Sequence, residues 1–164
     1  MRMFKTIAVA ATLAVSIGMM PVAAYAQKTI KLAHLNKNDP FDNGTGAMAV
    51  VFKSLVESGT NGAVKVDIFP DGQLGKDNEV IQQVKSGALD ITTPSMAALS
   101  NLVPALEIAS APFLWNDWAQ AENVIRGPAF QPIFDELRDK HNVLMLTKIW
   151  YWGWRNLTTG TKAV

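Results

Sequence analysis

An α/β fold built on a parallel sheet follows from three observations. The stretch from Val64 to Thr93, VKVDIFPDGQLGKDNEVIQQVKSGALDITT, reads as strand, turn, helix and second strand in a single run. Another strand and helix precede it, so the order is β-α-β-α-β, the pattern of a doubly wound or related sheet. The junctions carry the right punctuation, with Pro70, Asp71-Gly72, Gly75 and Gly87 between the periodic segments. Sheets of this kind bind ligands outside the carboxyl ends of their strands, which directs attention to the loops found there.

Each element has its own warrant. Lys28 to His34 (KTIKLAH) alternates and predicts the first strand. Asn36 to Asp42 is a polar turn containing Pro40. Ala47 to Val56 (AMAVVFKSLV) predicts a helix with Val50, Val51, Leu55 and Val56 as its core face, closed by Thr60-Asn61-Gly62. Val64, Val66 and Ile68 then alternate with Lys65, Asp67 and Phe69, a strand with one buried face. Pro70 ends it, because proline cannot donate to a ladder. Val80, Ile81, Val84 and Leu89 sit near helical spacing, and Gly87 stands where a helix C-cap glycine belongs. Ala88 to Thr92 predicts the third strand.

Beyond Pro94, Ser95 and Met96 comes a short apolar segment bracketed by Leu102-Val103-Pro104 and Ala111-Pro112-Phe113-Leu114. Two helices follow, one over Asp117 to Arg126 and one over Pro128 to His141, with Gly127-Pro128 as the break. Pro132 falls in the first turns of the second helix and moves its start later. Val143 to Trp150 (VLMLTKIW) is apolar enough for a buried strand. The chain shows no internal repeat, low-complexity run or linker.

Composition narrows the function classes. Arg2 and Lys5 precede an apolar run, Ile7 to Met20, and Ala24-Tyr25-Ala26 fits the small-x-small cleavage rule. The run is short of the roughly 20 apolar residues that a membrane span requires. Residues 1–26 therefore read as a signal peptide cleaved after Ala26, with a mature protein that starts at Gln27 and is not itself membrane-embedded. There is no twin arginine, and no cysteine to carry a lipid, a thiolate or a metal. The 15 basic and 14 acidic residues nearly cancel, and no basic patch is visible, so nucleic acid is not expected as a partner.

Several motifs together carry a resemblance. Phe69-Pro70 through Gln73-Leu74-Gly75, the Glu-bearing helix, and Gly87-Ala88-Leu89-Asp90 form an ordered series. Pro112-Phe113-Leu114-Trp115 followed by Asp117 extends it, and so does Trp150-Tyr151-Trp152-Gly153-Trp154-Arg155-Asn156-Leu157-Thr158-Thr159. The series resembles the N-terminal portion of the solute-binding proteins of TRAP (tripartite ATP-independent periplasmic) transporters. That resemblance implies a periplasmic solute-binding-protein-like fold of two α/β domains with a cleft between them. Residues 27–150 would form the first domain and 151–164 the crossover into a truncated second one. Family members are about twice as long, and their first sheet receives a strand from later in the chain, so the portion present is expected to keep an unpaired sheet edge.

The candidate ligand residues come from two sources. The topological rule aims the loops after the first and third strands at the cleft, which selects Asn36 with His34, and Thr93 and Ser95 with their neighbours. Ordinary turn chemistry explains the same residues, and a lone histidine such as His34 is more often a satisfied structural residue than a ligand contact. Three of the five tryptophans cluster at Trp150, Trp152 and Trp154. Alternation puts them on one face, suited either to an apolar cleft wall or to interdomain packing. Arg155 offers a planar fork of donors that fits a carboxylate. The resemblance assigns it the glycine-x-arginine position of the family's ligand cleft, with Trp152 or Trp154 as the apolar wall. The family's main carboxylate-binding arginine belongs to a later motif, absent from this sequence.

Other chemistries find little footing. Asp67 with Asp71, or Asp77 with Glu79, fits no calcium loop, and Asp71 and Asp77 occupy turn and helix-start positions that favour acids for local reasons. His34 and His141 show no zinc-ligand spacing, and there is no G-x-S-x-G elbow and no phosphate loop. No catalytic residue, metal or cofactor is expected. The reading is a periplasmic receptor that captures a small organic anion, a carboxylate, for uptake by a TRAP membrane permease driven by an ion gradient. The alternatives are a ligand sensor on the same fold and, behind it, an exported enzyme on an α/β scaffold.

Overall fold

The computed structural model describes residues 27–149. Three parallel strands form one sheet in the order β2-β1-β3, with β1 at Lys28–Ala33, β2 at Val64–Phe69 and β3 at Ile91–Thr92. Helix α1 (Gly44–Gly59) joins β1 to β2, and α2 (Asp77–Ser86) joins β2 to β3. A short α3 (Met96–Leu99), a 3-10 helix (Pro104–Ser110), α4 (Trp118–Arg126) and α5 (Gln131–His141) complete the described chain. This is the β-α-β-α-β order expected from the sequence.

The helices begin and end where local chemistry dictates. The Asn43 side chain accepts from the Thr45 and Gly46 N–H groups, both at 3.1 Å, and so caps α1. Glu79 reaches back to accept from the Lys76 N–H at 2.8 Å at the start of α2. Gly87 closes α2 at φ 78°, a conformation that glycine adopts without strain. Asp117 accepts from the Gln120 N–H at 2.7 Å and fixes the start of α4 one residue later than expected. Helix α5 starts at Gln131 rather than Pro128, as Pro132 in its first turn requires.

Alternation along β1 sends its side chains to two different helices. Leu32 packs with Ala49 and Val66 under α1, while Ala33 packs with Val80 and Leu89 under α2. A third cluster lies outside the sheet, where Ile81 of α2 meets Leu99, Leu106, Ile125, Phe134 and Leu137. Neighbouring residues of α2, Val80 and Ile81, thus serve separate clusters and tie the sheet to the helical layer. Full burial of side chains this size is worth about 1.5–3 kcal/mol each.

Three expectations need correction. The core face of α1 runs through Thr45, Ala49, Phe52 and Val56, whereas Val51 and Leu55 are 55% and 66% exposed. Small residues at positions 46 and 49 bring the helix close to its neighbours along that line, which outweighs the larger apolar side chains on the other side. The third strand is shorter than Ala88 to Thr92. The Asp90 carboxylate takes the Lys31 N–H at 2.8 Å, where a longer β3 would have offered a carbonyl. Finally, 143–149 is not a strand. Val143 is buried and Met145 and Ile149 pack on the helical cluster, yet Leu144 and Leu146 are exposed, and among the described residues no strand lies alongside to complete a ladder. The last residue of that expected strand, Trp150, lies outside the described residues.

The outer edge of β2 is covered by side chains of α1 and its C-cap. Val66 N–H donates to Glu57 Oε1 at 3.1 Å, and Lys53 Nζ donates both to Val66 O and, at 2.8 Å, to Glu57 Oε1. One turn along, Val64 N–H donates to Thr60 Oγ1 at 3.1 Å. Residues 64 and 66 are those whose backbone groups point away from β1, so these bonds take the place of a missing strand.

Candidate functional site

At the carboxyl end of the sheet the chain ties its own loops together. His34 continues the ladder past β1, donating its N–H to Phe69 O at 3.0 Å and accepting from Gly72 N–H at 3.1 Å. Asp71 N–H donates to Asn36 O at 3.0 Å. The turn after β2, with Asp71 and Gly72 in the left-handed region, is therefore stitched to the residues that follow β1. On the other side, the Thr92 hydroxyl donates to Ala33 O at 3.1 Å. Asn36, Thr93 and Ser95 are carried on the loops thus held.

These three residues line one cavity of about 1010 Å³, which also runs along the free edge of β3 and the 142–149 segment. Its walls include Met48 and Phe52 of α1, Ile81 of α2, and Met96 and Leu99 of α3, so most of the lining is apolar. Some polar groups stand at the carboxyl ends of β1 and β3, while Lys28, Asp90, Asn142, Thr147 and Lys148 line it elsewhere. Asn36 Nδ2 donates to Thr45 Oγ1 at 3.1 Å. Ser95 Oγ accepts from Ala98 N–H at 3.1 Å, capping α3, and lies 3.3 Å from Asp77 Oδ2, to which it donates. The Thr93 hydroxyl is buried and has no protein partner. No arginine lines the cavity among the described residues. Lys148 does, but its ammonium donates to Gln131 Oε1 at 2.6 Å and stands 5.6 Å from the Phe134 ring centre.

His34 behaves differently from a satisfied structural histidine. Its side chain is 1% exposed, and neither ring nitrogen makes a hydrogen bond. Burial pushes its pKa below the ordinary 6.5, against the pull of the nearby Asn36 backbone and the Asp71 carboxylate.

The sequence-predicted set thus divides. Asn36, Thr93 and Ser95 come together at one cavity, with the Ser95 hydroxyl already engaged at both ends. Arg155, Trp152 and Trp154 lie outside the described residues. Thr45 and Asp77 were not singled out as ligand contacts, although both line the cavity. The Asn43 cap was the available signal for Thr45, since it fixes which residues open α1. Asp77 was legible only as a helix-start acid.

Comparison with known proteins agrees with this architecture. A sequence model of the bacterial extracellular solute-binding proteins, family 7 (DctP), matches residues 36–164. The C4-dicarboxylate-binding periplasmic protein DctP of Rhodobacter capsulatus is 30% identical over 128 residues, covering 77% of this chain and 38% of that protein. The 2,3-diketo-L-gulonate-binding periplasmic protein YiaO of Escherichia coli is 28% identical over 113 residues, 69% of this chain and 34% of its own. Among solved structures, a TRAP periplasmic solute-binding protein from Sulfurospirillum deleyianum with bound succinate superposes with a TM-score of 0.64 at 31% identity, covering 70% of this chain and 36% of that one. The sugar acid binding protein of Advenella mimigardefordensis in complex with galactonate gives 0.64 at 29% identity, covering 69% and 36%. The chain therefore spans little more than a third of the length of these relatives. Its strand order, the cavity along the β3 edge and the match over residues 36–164 lead to one assignment: the chain belongs to the bacterial extracellular solute-binding proteins, family 7.

Proposed function

We propose that the protein is the periplasmic receptor of a TRAP transporter and captures a small organic acid for uptake by a membrane permease. The observation that carries this reading is the position of the cavity. It runs along the free edge of β3 and reaches the loops where β1 and β3 end, the place where parallel sheets take their ligands, in a chain of a solute-binding family. The organic acids bound by the relatives, succinate and galactonate among them, support a carboxylate as the common group.

Asn36 and Thr93 contribute polar contacts from the first domain, with Ser95 beside them. Arg155 serves as the carboxylate clamp, and Trp152 or Trp154 forms the apolar wall. The protein is exported with cleavage after Ala26, and no helix among the described residues is long and apolar enough to cross a membrane. Its role is capture and delivery, without turnover of the ligand.

Thermal unfolding of the full-length protein with a panel of organic acids tests this. A ligand that binds the native state raises the midpoint by mass action, worth about 2.7 kcal/mol at a hundredfold excess over Kd. The expected result is a shift with one or more carboxylates that disappears in Arg155→Ala. If no organic acid shifts the midpoint, the receptor reading fails. A shift that survives Arg155→Ala moves the clamp to another residue.

A further inference from the structure

We infer that His34 is a proton-operated latch on the loops at the strand ends: a neutral ring keeps the loops after β1 and β2 stitched together, and protonation of the ring favours opening of that stitch while the rest of the fold stays closed. The latch goes beyond the receptor reading and works with or without a ligand. The His34 side chain is 1% exposed, and neither Nδ1 nor Nε2 has a hydrogen-bond partner. The backbone of the same residue makes two bonds of the stitch. Its N–H donates to Phe69 O at 3.0 Å, and its O accepts from Gly72 N–H at 3.1 Å. The third bond, Asp71 N–H to Asn36 O at 3.0 Å, joins the two loops directly.

An imidazolium carries two N–H donors, and burying a charge without acceptors is costly. The ring can keep a proton only by gaining water or a partner, so either the strand or the turn beside it must give way. The turn is the weaker side. Asp71 is exposed and holds φ 55°, a region that residues with a side chain seldom occupy. Strand β1, in contrast, is paired on both edges, with β2 and β3. The charge that acts on the ring is the Asp71 carboxylate, whose attraction for a proton is outweighed by burial. The first turn of α1, strand β3 and Thr93 carry no ionisable group. Lys37, Asp39 and Asp42 of the loop after β1, Asp67 of β2, and Lys76 and Glu79 at the start of α2 are exposed to solvent, and Asp77 accepts from Ser95. Asn36, which lines the cavity, follows the ring by two residues, so the latch brings that part of the cavity under proton control.

Amide hydrogen exchange of the full-length protein, followed by NMR at pH 7.5 and pH 5.5, tests the latch. In the open form the ring regains its ordinary value of 6.5, so the open share is expected to grow about tenfold between the two conditions. Protection of the Asp71 and Gly72 amides, each taken relative to the free exchange rate at the same pH, should fall by that factor. Urea below the unfolding transition should leave this exchange nearly unaccelerated, because a local opening exposes little surface. His34→Leu should abolish the fall. Equal protection at both pH values overturns the latch, and so does a fall that persists in His34→Leu. A fall that urea accelerates as strongly as exchange at the Leu137 amide of α5 also overturns it, since the opening is then global. Should the variant fail to fold, the ring C–H signals of the parent decide. A ring that stays neutral in the folded protein at pH 5.5 supports the latch, and one that titrates near 6.5 overturns it.

Discussion

Residues at the strand ends show how much a sequence conveys about a site. Asn36 and Thr93 were legible because a topological rule points to whatever follows β1 and β3. The state of their hydrogen bonds was not, since that depends on residues brought in from other elements. Ser95 illustrates the gap, its hydroxyl being held by Ala98 and Asp77, both fixed only by folding. His34 illustrates it differently, because a buried histidine without a hydrogen bond looks like any other in the sequence. Its depressed pKa makes a prediction. Above the unfolded value near 6.5 the ring is neutral in both states. As pH falls below that value, the unfolded chain binds a proton that the folded chain resists, so stability is lost on acidification. Urea unfolding at pH 7.5 and pH 5.5 should show this loss in the parent protein and a smaller one in His34→Leu. Parallel profiles for the two proteins would show that the histidine is not responsible.

Among the elements, the strand–helix–strand core was readable from periodicity, and the errors fell where periodicity gives way to fit. The face of α1 was misjudged because large apolar residues outnumber small ones on its surface, while the buried line is set by Gly46 and Ala49. Gly46 shows why size decides. A Cβ at this position would lie 2.7 Å from Lys37 O and 2.9 Å from Asp39 N, both backbone atoms. The loop after β1 can rest on α1 only if residue 46 has no side chain. Gly46→Ala should cost about 1–3 kcal/mol through overpacking, read from the urea midpoint. A loss below about 0.5 kcal/mol, the range of neutral surface changes, would mean that the loop moves aside freely. The failed strand at 143–149 has the opposite origin: its apolar pattern is genuine, but a pattern supplies no partner for its backbone.

For the molecule as a whole, the parallel β-α-β-α-β order could be read ahead, whereas the separation of the core into clusters on either side of α2 could not. Ile81 is the residue of α2 buried in the helical cluster, as Val80 is in the sheet cluster. Ile81→Ala is expected to lower stability by about 2–5 kcal/mol, measured by circular dichroism and by tryptophan fluorescence from the helical layer. A loss under about 1 kcal/mol in both signals would show that the layers are held together elsewhere. The two margins of the sheet are unlike at this scale. On one, Lys53, Glu57 and Thr60 occupy the backbone groups of β2. On the other, β3 faces a groove, and among the described residues no strand pairs with it there. Edge-to-edge association needs a free margin on each partner. Where Lys53 and Glu57 of α1 and the cap residue Thr60 occupy the outward groups of Val64 and Val66, an incoming strand finds them already taken, so strand addition to the described sheet is favoured on the β3 side.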